Sequence, residues 1–110
     1  MDSGQWVIPL DAAAEYAESS IGGKAWNLAR LQQAGFRVAA GFCIATAAYE
    51  RFLHAAGLTT FIQLELGRKS LSEMRWEELW DAALRIRNRF SIAELPREVA
   101  ESIRSAVTVL

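Results

Sequence analysis

The most informative stretch of this chain is Ser19-Ser20-Ile21-Gly22-Gly23-Lys24-Ala25-Trp26-Asn27-Leu28. Its paired glycines allow the backbone to turn with positive φ and to approach a ligand closely. Apolar residues then share one face at helical spacing, at Ala25, Leu28, Leu31 and Ala34. We therefore predict a break and turn over 19–23, a helix from Lys24, and a helix end at Gly35, because glycine is preferred just past a helix C-terminus.

Lys24 is the residue of this stretch that suggests ligand chemistry. The first N–H groups of a helix lack partners within the helix and carry partial positive charge, which suits a phosphate. A cation in the first turn is disfavoured by about 0.3–1 kcal/mol, so Lys24 makes sense there if an anion normally lies beside it. On the residues alone, however, two glycines that only mark a helix start, with a solvated lysine after them, fit better than a phosphate site. Ala25 follows the lysine where a P-loop needs Ser or Thr, and no third glycine completes a dinucleotide fingerprint.

The rest of the sequence predicts an α+β fold that is mostly helical, with a few short strands and about five helices. Short β-prone runs predict strands at Trp6–Ile8 and, buried, at Phe42–Ala45. The segment Asp11–Glu18 fits a helical turn or two. Caps and periodicity predict further helices from Thr46 to Gly57, from Thr59-Thr60 to Leu66, from Ser72 to Asn88–Phe90, and after Leu95 with Pro96 in the first helical position. The final triplet, Thr108-Val109-Leu110, is β-prone.

Composition excludes several classes of protein. The 110 residues carry a net charge of −1, which argues against a general nucleic-acid or anionic-membrane binder. The apolar fraction of 52% argues against disorder. The single cysteine excludes an internal disulfide and a Cys-rich zinc site. The N-terminus lacks the features of a signal peptide, and the longest uncharged run, Val38–Tyr49, is short of the roughly 20 residues that span a bilayer. We expect a cytoplasmic protein.

No other residues form a convincing catalytic or metal site, and we assign neither. His54 and Cys43 are predicted to be structural or surface groups, with Cys43 an inert buried thiol. The pair Trp76 and Trp80 predicts either a core stripe or a docking surface. Arg85, Arg87 and Arg89 are predicted to form a solvated helix end rather than an anion site. Three acidic residues nearer the start of that helix lack the partners of a metal site and are predicted to lie at the surface: Glu77, Glu78 and Asp81.

Three spaced motifs resemble the opening of the nucleotide-binding domain shared by phosphoenolpyruvate synthase and pyruvate phosphate dikinase. They are Ile21–Leu31, which is similar to a GGK-x-x-NL helix, then Ala34–Val38, then Gly41–Phe52 with its strand and its Tyr- and Phe-bearing helix. The resemblance spans most of the chain, with Gly57–Phe90 only loosely covered. The family's VPPGF turn stands here as Val38-Ala39-Ala40-Gly41-Phe42, without the two prolines.

The resemblance implies a partial ATP-grasp-like fold in which residues 1–110 form a single incomplete domain. It implies that Lys24 contacts ATP phosphates, that Gly22 and Gly23 are the loop glycines, and that Mg²⁺ accompanies the nucleotide. In the whole enzyme, ATP would phosphorylate a mobile histidine, and the phosphoryl group would pass to pyruvate or to an antibiotic. We expect the chain alone to be inactive, with the nucleotide and the remainder of the parent enzyme as partners.

Two further expectations concern protein contacts. Unpaired edges at Val109-Leu110 and at one side of the Phe42–Ala45 strand predict self-association, because open edges recruit other chains. The alternative function is a non-enzymatic helical interaction module that kept this scaffold; the missing prolines and the four tryptophans favour it.

Overall fold

The computed structural model describes residues 5–110, which are mostly helical and include one small antiparallel sheet of two strands. This confirms the α+β, mostly helical fold class. In chain order the elements are β1 (Val7–Pro9), a 3₁₀ helix (Leu10–Glu15), α1 (Glu18–Gln33), β2 (Phe42–Ile44), α2 (Thr46–Ala55), α3 (Leu58–Leu66), a 3₁₀ turn (Leu71–Glu73), α4 (Trp76–Ile92) and α5 (Arg97–Val109).

The chain divides into two compact units. The first comprises the chain up to Arg51 together with Pro96–Leu110, and the second is Phe52–Leu95. The first unit therefore contains the sheet, α1 and α5, and the second contains α3 and α4.

The first unit is built on the pairing of the two predicted strands. Ile8 in β1 lies opposite Cys43 in β2, and Pro9 lies opposite Phe42. Pro9 is tolerated because a proline at the end of a short strand costs few ladder hydrogen bonds. The sheet and α1 enclose a small apolar core that consists of Ile8, Leu10, Ala13, Ile21, Ala25, Ala29 and Ala45. A second cluster, formed by Trp6, Ala48 and Val99, ties α5 to the sheet.

Helix α1 ends as the sequence predicts. Gly35 adopts a positive φ of 94°. Its N–H bonds to the Gln32 carbonyl at 3.1 Å, and the Phe36 N–H bonds to the Leu31 carbonyl at 3.0 Å. These two bonds form a Schellman motif, which satisfies carbonyls at the helix end. The chain can then turn toward β2.

The second unit is a helical hairpin. Gly57, with a φ of 68°, separates α2 from α3, and Gly67 ends α3, both as predicted. Leu58 of α3 and Ala82 of α4 are its buried apolar side chains among the described residues. The rings of Phe52 and Phe90 lie 5.9 Å apart.

Several predicted boundaries were wrong by one to four residues. Thr46 is the first residue of α2 rather than its cap, and its hydroxyl donates to the Ser19 carbonyl at 2.8 Å. Helix α3 begins at Leu58, before the predicted Thr59-Thr60 cap. Helix α4 begins at Trp76, because Ser72 lies in the preceding 3₁₀ turn.

Two further corrections concern the last helix. Pro96 precedes the first turn of α5 instead of occupying its first position. Thr108 and Val109 continue α5, although the final triplet is β-prone. Helical hydrogen bonding along an amphipathic helix outweighs the weak local propensity of two residues.

Candidate functional site

Gly22 is the structural centre of the predicted ligand stretch. It adopts φ 84° and ψ 161° inside α1 and kinks the helix there. This region of φ and ψ is essentially restricted to glycine. A Cβ built on Gly22 meets nothing within 4 Å, so the requirement for glycine comes from the backbone and not from crowding.

The kink divides α1 into a single turn from Glu18 and a longer helix from Gly23. The predicted break is therefore confirmed at Gly22, but Ser19 and Ser20 are helical, and Gly23 has an ordinary helical conformation. Only one of the two glycines uses positive φ. Because the kink interrupts the regular bonding pattern, the N–H groups after Gly22 resemble those of a helix N-terminus.

Lys24 lies in the first turn after the kink and is exposed. No Asp or Glu of residues 5–110 lies within 4.0 Å of its ammonium group. The side chain lines a cavity of about 290 Å³, whose other walls are Leu10, Ile21, Ala25, Leu28, Phe42 and Cys43. The structure thus places a cation beside a mostly apolar recess at the start of a helix.

The carboxylate of Glu18 lies beside Gly23. Its Oε2 atom is 3.4 Å from the position that a Cβ on Gly23 would occupy. An anion next to the first turn of a helix is the favourable arrangement for the helix dipole. The first turn after the kink therefore already lies beside one negatively charged side chain of the same protein.

The structure offers no cation site at this stretch. Within the described part of the chain, no group of three His, Cys, Asp or Glu side chains is arranged to hold a metal ion.

Cys43 is only partly buried, although it was predicted to be buried, and burial raises the pKa of its thiol. His54 is exposed in the last turn of α2.

The second unit contains a charge cluster that the sequence analysis missed. Glu65 is 4% exposed. Its Oε1 atom accepts from Arg85 Nε at 2.9 Å, and its Oε2 atom accepts from Arg68 at 3.2 Å. The hydrogen bond from Arg85, together with the charges of both arginines, holds the pKa of Glu65 below its ordinary value.

A signal for this cluster exists in the sequence. Glu65 follows Leu58 by seven residues, which places both on the same helix face, and Arg68 follows at i+3. Arg85 is exposed, as predicted, but its guanidinium pairs with the buried carboxylate of Glu65, and this contact was not predicted. Arg89 also lies against its own unit, with its guanidinium 4.2 Å from the centre of the Phe61 ring.

The acidic residues near the start of α4 differ from one another. Glu78 accepts from the Arg75 backbone N–H at 2.9 Å and pairs with Lys69 at 3.0 Å. These two contacts lower the pKa of Glu78, which is a partly exposed surface residue with two partners. Glu77 and Asp81 are exposed, as predicted.

The tryptophan pair on α4 is a surface feature. Trp76 and Trp80 are 69% and 60% exposed, and their rings stack with centroids 5.4 Å apart. The interpretation as a core stripe is therefore wrong.

In the described residues, no helix is both long enough and apolar enough to cross a membrane.

Comparison with protein families gives a match over most of the chain. Residues 18–110, from the first residue of α1 onward, match the model of a family described as the AMP/ATP-binding domain of pyruvate phosphate dikinase. The matched range includes the kink, Lys24 and the whole of the second unit.

Two curated proteins are similar in sequence. A phosphoenolpyruvate synthase of Aeropyrum pernix is 30% identical over 100 residues, which is 91% of this chain and 12% of that protein. A rifampicin phosphotransferase of a Streptomyces species is 30% identical over 106 residues, which is 96% of this chain and 12% of that protein. The chain thus spans about an eighth of the length of these relatives.

Proposed function

The chain belongs to the family of the pyruvate phosphate dikinase AMP/ATP-binding domain, and on that basis we propose that its Gly22–Lys24 segment contacts the phosphates of ATP. In this proposal residues 1–110 are a single incomplete domain, the N-terminal part of an ATP-grasp-like nucleotide-binding domain. The observation that carries the proposal is the position of Lys24, an exposed cation in the first turn after the Gly22 kink.

Each residue of the segment has a separate task in this proposal. Gly22 turns the backbone so that the helix from Gly23 begins abruptly and presents its first N–H groups to an anion. Gly23 keeps a side chain away from the approach of the phosphates. Lys24 supplies a charge-assisted hydrogen bond, which is about twice as strong as a neutral one. The Glu18 carboxylate would have to leave the vicinity of Gly23.

The residues fit the phosphate group but offer little to its magnesium ion. Magnesium is commonly held by one or two carboxylates together with substrate phosphates. We propose that Mg²⁺ accompanies the nucleotide and is held by its phosphates together with one or two carboxylates of the complete enzyme.

We infer that the complete protein is an ATP-dependent phosphotransferase and that this chain alone is inactive. ATP supplies the phosphoryl group, and phosphoryl transfer depends mainly on positioning and charge stabilisation. The partners of this chain are then the nucleotide and the remainder of the enzyme, in the cytoplasm, where ATP is available. One relative is named a phosphoenolpyruvate synthase and the other a rifampicin phosphotransferase, so the acceptor is proposed as pyruvate or an antibiotic.

One observation favours the alternative of a non-enzymatic interaction module, namely the exposed Trp76 and Trp80 pair. One property distinguishes the phosphotransferase from the interaction module, because only the phosphotransferase requires nucleotide binding that depends on Lys24.

The test is the ATP affinity of the complete enzyme with Lys24→Gln. The control is Arg37→Gln, which removes an exposed cation just beyond the other end of α1, about 15 Å from the first turn by helical rise. We expect Lys24→Gln to weaken ATP binding at least tenfold and Arg37→Gln to change it less than twofold. Equal affinities for all three proteins would remove Lys24 from the site.

A further inference from the structure

The helical turn that enters the Gly22 kink is bonded to a distant part of the first unit. The hydroxyl of Thr46, the first residue of α2, donates to the Ser19 carbonyl at 2.8 Å. The two residues are 27 positions apart in the chain, and Ser19 lies three positions before Gly22. This bond therefore joins the start of α2 to the part of α1 from which the kink begins.

The bond supplies a donor that the kink takes away. In a regular α-helix the N–H of each residue bonds to the carbonyl four residues earlier, so the Ser19 carbonyl would pair with the Gly23 N–H. The ψ of 161° at Gly22 turns the peptide that carries this N–H away from the helical direction. The Thr46 hydroxyl satisfies the Ser19 carbonyl, and the Gly23 N–H becomes available to an anion.

The turn before the kink has little stability of its own. It consists of Glu18–Ile21, because Gly22 departs from helical φ and ψ. Isolated helices shorter than about 12 residues are marginal in water, so a single turn depends on tertiary contacts. Ile21 is 5% exposed, whereas Glu18 and Ser19 are exposed. The burial of Ile21 and the hydrogen bond from Thr46 both fix this turn to the rest of the first unit.

Thr46 can hold the turn because its own position is fixed. The preceding residue, Ala45, is 4% exposed and lies in the same apolar core as Ile21. The Ala45 N–H donates to the carbonyl of Trp6, just ahead of β1, at 2.9 Å. Thr46 is also β-branched, which restricts the rotation of its side chain about χ1. The hydroxyl is therefore presented from an anchored junction between β2 and α2.

We propose that Thr46 is a positioning residue for the Gly22–Lys24 segment, an inference that rests on the phosphate contact proposed for Lys24. Glycine adopts positive and negative φ about equally, so Gly22 permits the kink but does not impose it. The kink is imposed by fixing the chain on both sides. Ala25, which is 7% exposed, fixes the helix after the kink, and the bond from Thr46 fixes the turn before it.

The size of the effect follows from preorganisation. A typical intramolecular hydrogen bond changes an equilibrium constant about two- to tenfold. Without the bond from Thr46, the nucleotide has to order the turn when it binds, and its affinity falls by up to that factor. Thr46→Val should therefore weaken ATP binding about three- to fivefold. This loss is smaller than the one expected for Lys24→Gln, because Lys24 is proposed to contact the phosphates directly.

The experiment measures the ATP affinity of the complete enzyme with Thr46→Val and with Thr46→Ser, which keeps the hydroxyl. Thr46→Ser should bind ATP within about twofold of the wild type. Thr108→Val is the matched control, since the Thr108 hydroxyl also donates to a backbone carbonyl, that of Ser105, at 2.7 Å. Its loss should change the ATP affinity less than about twofold. A merely structural contact would lower the melting temperature of Thr46→Val without changing the affinity of the folded enzyme for ATP.

Amide hydrogen exchange without nucleotide tests the contact independently. Exchange over residues 18–24 should be about two- to tenfold faster with Thr46→Val and should return to the wild-type rate with Thr46→Ser. Unchanged exchange over this segment would overturn the proposal. So would an unchanged ATP affinity of Thr46→Val in an enzyme that Lys24→Gln weakens, and the phosphate contact of Lys24 would then stand. If neither Lys24→Gln nor Thr46→Val changes the affinity, the phosphate contact fails and the positioning role fails with it.

Discussion

Replacing Gly22 with alanine should destabilise the first unit, because the φ of 84° and ψ of 161° at this position suit only glycine. Such a conformation costs a residue with a Cβ about 1–3 kcal/mol. No atom lies within 4 Å of the added Cβ, so no clash adds to this cost. The smaller entropy of the unfolded alanine chain offsets about 0.4–1 kcal/mol. The expected net loss is therefore about 1–2 kcal/mol.

The neighbouring glycine provides the matched control. Gly23 is helical, and its added Cβ would make an ordinary contact, 3.4 Å from Glu18 Oε2. Gly23→Ala should therefore stabilise the chain by about 0.4–1 kcal/mol. The two variants should differ by about 2 kcal/mol, which corresponds to roughly 8 °C in melting temperature at about 4 °C per kcal/mol. Thermal unfolding of the 110-residue chain, followed by circular dichroism, measures this difference. Equal melting temperatures, or a more stable Gly22→Ala, would refute the assignment of the kink to Gly22.

Three further predictions follow from the same structure. Lys24→Glu should leave the isolated chain as stable as the wild type or raise its stability by about 0.3 kcal/mol, because an anion suits the first turn; a lower melting temperature would contradict this. Arg85 and Arg68 lower the pKa of Glu65 in the folded protein. The ionised carboxylate therefore stabilises the fold above its pKa in the unfolded chain, about 4.3, and this stabilisation is lost as the pH falls through the lower pKa of the folded state. Glu65→Gln should thus lower the melting temperature at pH 7, and this deficit should shrink as the pH falls below about 4.3, whereas Glu101→Gln, at an exposed pair, should change little. The isolated chain should release no phosphate from ATP above background; turnover that disappears with Lys24→Gln would contradict its inactivity.

Features determined by local chemistry could be predicted from the sequence. Glycines 35, 57 and 67 end or separate helices where the periodicity stops, because a left-handed or terminal position selects glycine regardless of tertiary structure. The strands at Val7–Pro9 and Phe42–Ile44 also follow from short β-prone runs next to a proline or a glycine.

Features determined by long-range packing could not be predicted. Arg85 reads as a solvated residue along the chain, and only the α3–α4 hairpin brings it to the buried Glu65, 20 residues away. The surface position of Trp76 and Trp80 could not be predicted either. Helical spacing indicates which residues share a face, but it does not indicate which face is buried. Within the candidate site, the sequence located the break but did not distinguish Gly22, which turns the backbone, from Gly23, which continues the helix.

The most direct test of the proposed phosphate contact is the structure of the complete enzyme with a non-hydrolysable ATP analogue bound. The decisive quantity is the distance from Lys24 Nζ to the nearest phosphate oxygen. The account predicts about 2.7–3.2 Å, the range of a hydrogen bond, with phosphate oxygens also facing the N–H groups that follow Gly22. An analogue bound elsewhere, with Lys24 Nζ separated from every phosphate by bulk solvent, would contradict it.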